Sequence, residues 1–524
     1  MRITLLHPAA ESYLQTHRDR AGHLGLGYLA AVLVQAKHTV RVLDAKNSFL
    51  PDELLRRHVS EFCPDIFGTT AMTHEVHSAA RACSIAKSVN PQTWTIIGGP
   101  HTSALPERTL DEFDGVDITV AGEGEVTMAE LAEARAQGAR LSDLESIPGI
   151  AFRRDGRPVR NAPRPWIEDL DRLPFPAWEL FPKAFWPVMA GRGCPFGCVF
   201  CQRVLGRRMR LRSVDNVLAE IDALEERVGQ RSLWFSDETF GVNRRWADEF
   251  VEKLSLRNQR RGYALTWGSN SRANLADLER YRRMKASGCT EISFGVESGD
   301  EEILKRVMKG ITPRMAVDAI ATAQAAGLSA AAFFILGHPG ETWRTALKTV
   351  NLAARCHADV IAVGVMVPYP GTEVWHMARA GEFATIGDGV AIARMPVQHH
   401  VHIFEGALAH QIHLAGPTFF GGRAVIAQGT GYVVFLHVLL QRDSCQGRAR
   451  PQKIVPASVS RRAGLDRITI GHGLLRQSRQ GVKFAEDRDH RLTLTVARDE
   501  RCRFIGNTGL HPESRRLQLL LQQL

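Results

Sequence analysis

Gly193-Cys194-Pro195-Phe196-Gly197-Cys198-Val199-Phe200-Cys201 sets three thiols at the spacing C-x3-C-x2-C. Three soft thiolates on so short a loop can wrap a cluster of iron and sulfide, whose usual protein ligand is cysteine, and they leave one iron without a protein ligand. Zinc is the competing metal, but a structural zinc site takes four ligands in paired spacing, and the next cysteine along the chain, Cys289, is remote. Three incidental buried cysteines are the remaining reading, and the spacing weighs against it. The total of nine cysteines (63, 83, 194, 198, 201, 289, 356, 445 and 502) is odd. That number fits buried thiols or metal ligands in a reducing compartment rather than bridges.

A loop of this kind needs a frame, and the pattern around it supplies one. After residue 187 the chain alternates strand candidates with amphipathic helices. The strands are 187–193, 232–240, 264–271, 291–299, 330–338 and 360–370; helical period is clearest over 213–228, 277–288 and 312–327. Six such repeats are too few for a closed eight-fold barrel, so a partial (β/α)6 barrel of the TIM type is expected, with its chemistry at the carboxyl ends of the strands. Residues 1–140 carry a separate alternation: strands at 2–8, 39–45, 65–73, 94–100 and 118–124, helices at 25–37, 51–62, 74–89 and 125–137. Five apolar strands separated by helices predict a doubly wound parallel sheet of Rossmann-like α/β type, with a ligand crevice beyond the strand ends. Between the two, 146–188 is rich in proline and reads as a packed linker. The expected division is 1–145, a linker at 146–188, a core at 189–384 and a tail at 385–524.

The cysteine loop resembles that of the radical S-adenosylmethionine (SAM) enzymes, including the aromatic Phe200 just before the third cysteine, and the resemblance covers most of residues 190–375. It implies a 4Fe-4S cluster on Cys194, Cys198 and Cys201. The open iron would chelate SAM, and an electron from the cluster would split the sulfonium into methionine and a 5′-deoxyadenosyl radical. Further matches follow at strand ends. Asp237 and Glu238, in Trp234-Phe235-Ser236-Asp237-Glu238-Thr239-Phe240, are implied acceptors for the SAM ammonium, with an N-cap of the next helix as the plainer role. Ser269 and Arg272 fall where the family contacts the SAM carboxylate or ribose, and Glu297, in Gly295-Val296-Glu297-Ser298-Gly299, would pair with an arginine or touch the ribose.

No G-x-G-x-x-G follows the first strand, so dinucleotide binding lacks its phosphate turn. The series GLGYLAA, TTAMT, GGPHTSALPE and GEGE instead resembles the cobalamin (B12)-binding domain that precedes many radical SAM barrels. On that resemblance the corrin and its nucleotide tail lie near Thr70, Met72, Thr73, Gly98, Gly99, Gly122, Glu123, Gly124 and Glu125, where glycines permit close backbone approach. Ordinary turn chemistry is the competing reading for each glycine. The D-x-H-x-x-G motif that supplies a cobalt-ligating histidine is missing. Neither His17 nor His23 has the spacing, so no histidine is expected on the lower cobalt face, and His101 is expected to serve as a hydrogen-bonding residue at a strand end.

The two resemblances together imply a cobalamin-dependent radical SAM enzyme of the class B methyltransferase type, with a small-molecule or natural-product substrate and an electron donor such as flavodoxin or ferredoxin. A radical cyclase or rearrangement enzyme of the anaerobic porphyrin cyclase type shares this architecture, and a non-catalytic iron–sulfur or cobalamin sensor is the alternative outside catalysis.

With 524 residues, of which 44% are hydrophobic and 23% charged, the composition is that of a globular protein of about three or four domains. No run approaches the ~20 apolar residues a membrane helix needs, and the opening residues lack the features of a secretory signal; a cytoplasmic protein is expected. The net charge of +10 does not indicate nucleic acid, because nearly all of it comes from residues 386–524, which hold 17 Arg and 2 Lys against 10 acidic residues. That tail also holds nine of the twenty histidines and has no comparably regular alternation. An accessory domain, a poorly ordered tail and a segment translated from a non-native frame are all compatible with it, and it is assigned no chemistry.

Overall fold

The computed structural model describes residues 1–9, 21–48, 50–182 and 184–381, together with the backbone of five strands between 424 and 497. Residues 1–160 form strands β1 (Arg2–His7), β2 (Thr39–Asp44), β3 (Ile66–Thr70), β4 (Trp94–Gly98), β5 (Ile118–Val120), β6 (Ile150–Arg154) and β7 (Arg157–Arg160). They make one sheet in the order β2-β1-β3-β4-β5-β6-β7. Helices α1 (Leu24–Gln35), α2 (Asp52–Phe62), α3 (Val76–Val89), α4 (Pro100–Ala104), α5 (Pro106–Glu112) and α6 (Glu125–Ala136) fill the crossovers. Both sheet faces are buried, as the continuous apolar strands require. Ile3, Leu5 and Ile66 join the core that holds Leu26 of α1 and Leu131 of α6, while Leu6, Phe67 and Ile97 join the one that holds Val59 of α2 and Ala79 of α3. The strand order reverses between β1 and β3, the switch point at which a doubly wound sheet opens its crevice.

The proline-rich 146–188 stretch is not all linker. β6 and β7 pair antiparallel and extend the first sheet at its edge, with Pro158 on the outermost strand, the one place in a sheet where a missing N–H does no harm. The rest of the stretch is packed by Trp178, Phe181 and Trp186, all buried.

The second layer begins with two-residue strands β8 (Gly191–Arg192) and β9 (Arg210–Leu211), paired as a ribbon. It continues with β10 (Ser232–Phe235), β11 (Thr266–Ser271), β12 (Cys289–Glu297), β13 (Ser329–Leu336) and β14 (Val360–Val365), between which lie α7 (Val214–Val228), α8 (Arg244–Arg261), α9 (Leu278–Ala286), α10 (Glu301–Arg306), α11 (Pro313–Ala325) and α12 (Trp343–Arg355). Helix α13 (Glu373–Ala380) follows. Strands β10 to β14 run parallel in sequence order, and β15 (Ala424–Ala427) pairs with β14 at the far edge. The expected first strand of this series, 187–193, is reduced to a parallel bridge of Val188 to Phe235 plus the β8–β9 ribbon. Local signals set the helix ends: Ser213 and Asn243 accept hydrogen bonds from Asn216 and Trp246 at the starts of α7 and α8, and both helices stop at glycines in the left-handed region, Gly229 and Gly262.

Both α/β layers share one hydrophobic core running from Ile3 to Ile361. Trp186 lies so close to Gly22 and Gly27 that an added Cβ would meet its ring at 2.6 and 3.1 Å, so these two glycines let the indole seat between the layers. Residues 439–524 form a second compact unit, in which β16 (Ser458–Arg462), β17 (Leu465–Gly471), β18 (Lys483–Glu486) and β19 (Arg491–Ala497) pair antiparallel in the order β16-β17-β19-β18. Leu492-Thr493-Leu494-Thr495-Val496 alternates with period two, a strand signature that the sequence reading passed over. Among the described residues no helix is long and apolar enough to cross a membrane.

Candidate active site at the strand ends

Strand β8 leads directly into the cysteine loop and β9 receives it. Gly193 opens the loop at φ 89°, where an added Cβ would collide with the Arg208 carbonyl, so only glycine suits that corner. The turn is closed by Cys194 N–H to Gly206 O at 3.2 Å and by Val199 N–H to Val307 O at 3.2 Å. All three thiols are unbridged; Cys194 is half-buried, Cys198 buried and Cys201 exposed. Arg272 lies 3.7 Å above the Phe196 ring, donates to the Cys198 sulfur at 3.4 Å and donates to the Lys309 carbonyl. The Cys198 thiol is pulled down to about 5, first because Cys201 donates to it and further by Lys309 and Arg272, with burial opposing. Three free sulfurs with two cations beside them are a donor set suited to an anionic iron–sulfur cluster.

The predicted SAM contacts divide on inspection. Glu297 stands at the end of β12 with φ 69° and pairs with Lys309 Nζ at 2.6 Å; both side chains are only 8% exposed and occupy the niche left by Gly295. Phe200 lies beside both this pair and His338, with Lys309 Nζ 5.9 Å and the His338 ring 5.8 Å from its centre. Glu238 is exposed beside the loop. Asp237 is turned into the wall: fully buried, it accepts from the Ala190 N–H at 2.7 Å and also from that of Gly191, and burial raises its pKa to about 7. It thus latches β10 to the segment entering the loop. Ser269 does not face the cluster side. Trp267, two residues earlier, packs on Phe250 of α8, and Ser269 lines a small void with Tyr281 and Met284 of α9, so strand alternation puts Asn270 on the opposite, inner face. The fork of Arg272 is taken by Cys198 and Lys309.

Two residues near the loop escaped the sequence reading. Lys309 follows α10 with no motif around it. His338 lies just beyond β13 and is 1% exposed; desolvation lowers its pKa to about 4, opposed by the charge and the backbone of Glu297. This buried imidazole lies next to Phe200 and Glu297, at the edge of the cysteine loop.

The cobalamin-type residues gather at the ends of β3, β4 and β5. Ala71 N–H donates to Gly98 O at 2.9 Å, His101 N–H to Ala71 O at 3.1 Å and Gly122 N–H to Ser103 Oγ at 3.0 Å. His101 is buried with Nδ1 3.3 Å from Thr73 Oγ1, a hydrogen-bonding strand-end role. Thr70 and Thr73 are buried, and Met72 N–H is taken by Glu75. The glycines are not equivalent. At Gly99 (φ 99°) an added Cβ would meet Thr70 Oγ1 at 2.6 Å, whereas at Gly98 it would meet nothing nearer than 3.9 Å. Gly99 serves the turn, and Gly98 offers the open floor. A cavity of about 250 Å³ opens at the ends of β1 and β2, lined by His7, Gly22, His23, Gly25 and Lys46 among others. His7 Nδ1 lies 3.1 Å from Asp44, a pairing that the sequence did not announce. His23 Nδ1 accepts the Leu26 N–H at 3.1 Å and burial lowers its pKa to about 3. The lone pair of Nδ1 is thus already taken by a backbone N–H, which argues against this ring as a metal ligand. His17 lies outside the described residues. The small residues at these strand ends, Gly98 above all, leave backbone that a large ligand could approach closely.

Glu123 and Glu125 require a correction. They were expected to meet the corrin, but both are buried and bound by Arg192 and Arg210 of the β8–β9 ribbon. A carboxylate so far from water needs a cation, and its partners lie 67 to 87 residues further along the chain, beyond the reach of any local motif.

Comparison with known proteins agrees with this geometry. Residues 188–353 match the radical SAM superfamily and residues 15–132 the B12 binding domain. The uncharacterized methyltransferase PH0819 of Pyrococcus horikoshii is 36% identical over 391 residues, 72% of this chain and 83% of the relative. The anaerobic magnesium-protoporphyrin IX monomethyl ester cyclase of Rubrivivax gelatinosus is 30% identical over 410 residues, 75% of this chain and 71% of the relative. The fold is shared with the radical SAM methyltransferase TsrM of Kitasatospora setae, solved with cobalamin and a 4Fe-4S cluster bound, at a TM-score of 0.61 and 18% identity over 76% of this chain and 79% of that one. The chain belongs to the radical SAM enzymes that carry a B12-binding domain ahead of the barrel, a family whose cofactors are a 4Fe-4S cluster, SAM and cobalamin.

Proposed function

We propose that the protein transfers a methyl group to an unactivated carbon of a small-molecule substrate. The observation that carries this reading is the position of Trp166. An added Cβ at Gly122, in the crevice, would meet its ring at 3.5 Å, and one at Gly206, in the cysteine loop, at 3.2 Å. Crevice and loop therefore approach within the width of one indole, which is the arrangement a methyl carrier beside a radical source needs. When bound, the cluster and SAM supply a 5′-deoxyadenosyl radical and the corrin a transferable methyl group. The chain's own part is positional: Cys194, Cys198 and Cys201 hold the cluster, Arg272 and Lys309 hold positive charge beside the Cys198 sulfur, and Gly98 floors the corrin site. Phe200, Glu238, Glu297 and His338 border the space left for SAM.

The cobalamin-type domain is placed at residues 1–145 with the edge hairpin to Arg160 added, and the catalytic core at 189–384. A flavodoxin- or ferredoxin-like donor in the cytoplasm is the electron source this chemistry calls for. The kinship to a cyclase favours one second reading, radical cyclisation without methyl transfer. Incubating the reconstituted enzyme and candidate substrates with SAM labelled in its methyl group decides between them: label in the product supports methylation, and unlabelled product formed alongside 5′-deoxyadenosine supports cyclisation.

A further inference from the structure

Both roots of the cysteine loop are tied to one loop of the other α/β layer. Arg192, two residues before Cys194, places Nη1 2.8 Å from Glu123 Oε1 and Nη2 2.5 Å from Glu125 Oε1. Arg210, at the returning root, places Nη1 2.8 Å from Glu123 Oε2 and 2.6 Å from the Ile167 carbonyl, and Nη2 2.9 Å from the Leu205 carbonyl. Glu123 Oε2 also accepts the Ile167 N–H at 2.7 Å. The four side chains are 2–6% exposed, so water neither screens nor replaces these bonds. Arg192 further stacks 5.4 Å from the Tyr28 ring of α1.

A buried ion-pair network is weak support for stability, because desolvating the charges offsets their attraction. The Trp186 seam already joins the layers through apolar contact. What the network adds is direction: forked guanidiniums fix orientation as well as distance. Two guanidiniums on opposite roots of a loop, both bound to Glu123, prevent the loop from pivoting.

We propose that Glu123, Glu125, Arg192 and Arg210 are a positioning clamp that holds the cluster-binding loop at a fixed distance from the corrin crevice. The inference rests on the proposed function, since it presumes that both cofactors are bound. Glu123 and Glu125 are then positioning residues that act through the arginines and do not touch cofactor.

The test uses the full chain, reconstituted anoxically with iron, sulfide and hydroxocobalamin and reduced with dithionite. Iron and cobalamin per chain are counted, and microwave power saturation of the cob(II)alamin paramagnetic signal reports how strongly the nearby reduced cluster relaxes it. The wild type is expected to show strong relaxation enhancement. Glu123→Gln and Glu125→Gln together are expected to keep both cofactors and lose the enhancement severalfold. Arg192→Lys, which keeps the charge but not the fork, is expected to lose part of it; this milder change decides the matter if the double variant fails to fold. Variants that hold both cofactors and relax like the wild type overturn the clamp. A wild type that takes up no cluster or no cobalamin overturns instead the reading on which the clamp rests.

Discussion

Replacing Lys309 by methionine tests whether the Glu297–Lys309 pair is a true buried ion pair under the cysteine loop. The two groups are 2.6 Å apart and each side chain is 8% exposed, so the small values measured for surface pairs do not apply. Removing one partner of a buried pair costs about 3–5 kcal/mol, because the other charge is left without compensation, whereas replacing both by neutral residues of similar size is close to neutral. Lys309→Met and Glu297→Gln alone are each expected to lose that amount, and the double variant to lose far less than the sum. At about 2–4 °C per kcal/mol for domains of this size, each single loss corresponds to a melting shift of roughly 6–20 °C. Urea unfolding of the cluster-free protein under reducing, anoxic conditions, followed by tryptophan fluorescence, measures all three variants without the cluster's own contribution. Single losses below about 1 kcal/mol, or a double variant that loses the sum of the two, would show that Glu297 and Lys309 are not a coupled buried ion pair.

Burial raises the Asp237 pKa above its unfolded value to about 7, so the folded chain binds the extra proton between roughly pH 4 and pH 7 and its stability falls as pH rises through that window, levelling off above it. Asp237→Asn, which still offers an oxygen to the Ala190 N–H, is expected to flatten this slope in denaturation measured from pH 5 to pH 8; an unchanged slope contradicts it. Gly99→Ala places a Cβ 2.6 Å from Thr70 Oγ1 in a left-handed backbone conformation, and is expected to cost about 1–3 kcal/mol or more. Gly98→Ala makes only an ordinary contact, with Val120 Cβ at 3.9 Å, and is expected to leave the unfolding midpoint unchanged while weakening cobalamin binding, read by titration of the corrin absorbance.

Much of the frame is visible in the residue pattern. β1 to β5 fall within the predicted apolar runs, because strands buried on both faces must be continuously apolar, and a run such as Trp94-Thr95-Ile96-Ile97 has no helical period. The C-x3-C-x2-C loop is visible for the opposite reason: all its chemistry is local. What stayed hidden depends on distant partners. Glu123 looks like a ligand-facing carboxylate until Arg192 and Arg210 are brought to it. Lys309 carries no motif, and Asp44 becomes a partner for His7 only when β1 and β2 lie side by side. Two misreadings had a signal in the chain. The alternation in Thr266-Trp267-Gly268-Ser269-Asn270-Ser271 already puts Ser269 on the same face as the core residue Trp267, and Pro158 was compatible with an edge strand though not with a central one.

On the proposed function, Cys194, Cys198 and Cys201 hold a cluster with one iron left open to SAM. The most direct measurement is anoxic reconstitution with iron and sulfide, reduction by dithionite and addition of SAM, with 5′-deoxyadenosine quantified beside the low-temperature paramagnetic spectrum. The wild type is expected to hold about four irons per chain, to give a reduced-cluster signal that changes when SAM is added, and to form 5′-deoxyadenosine, all lost when the three cysteines are changed to alanine. Wild-type protein that shows no cluster signal and forms no 5′-deoxyadenosine, indistinguishable from the triple variant, would contradict this role for the cysteines.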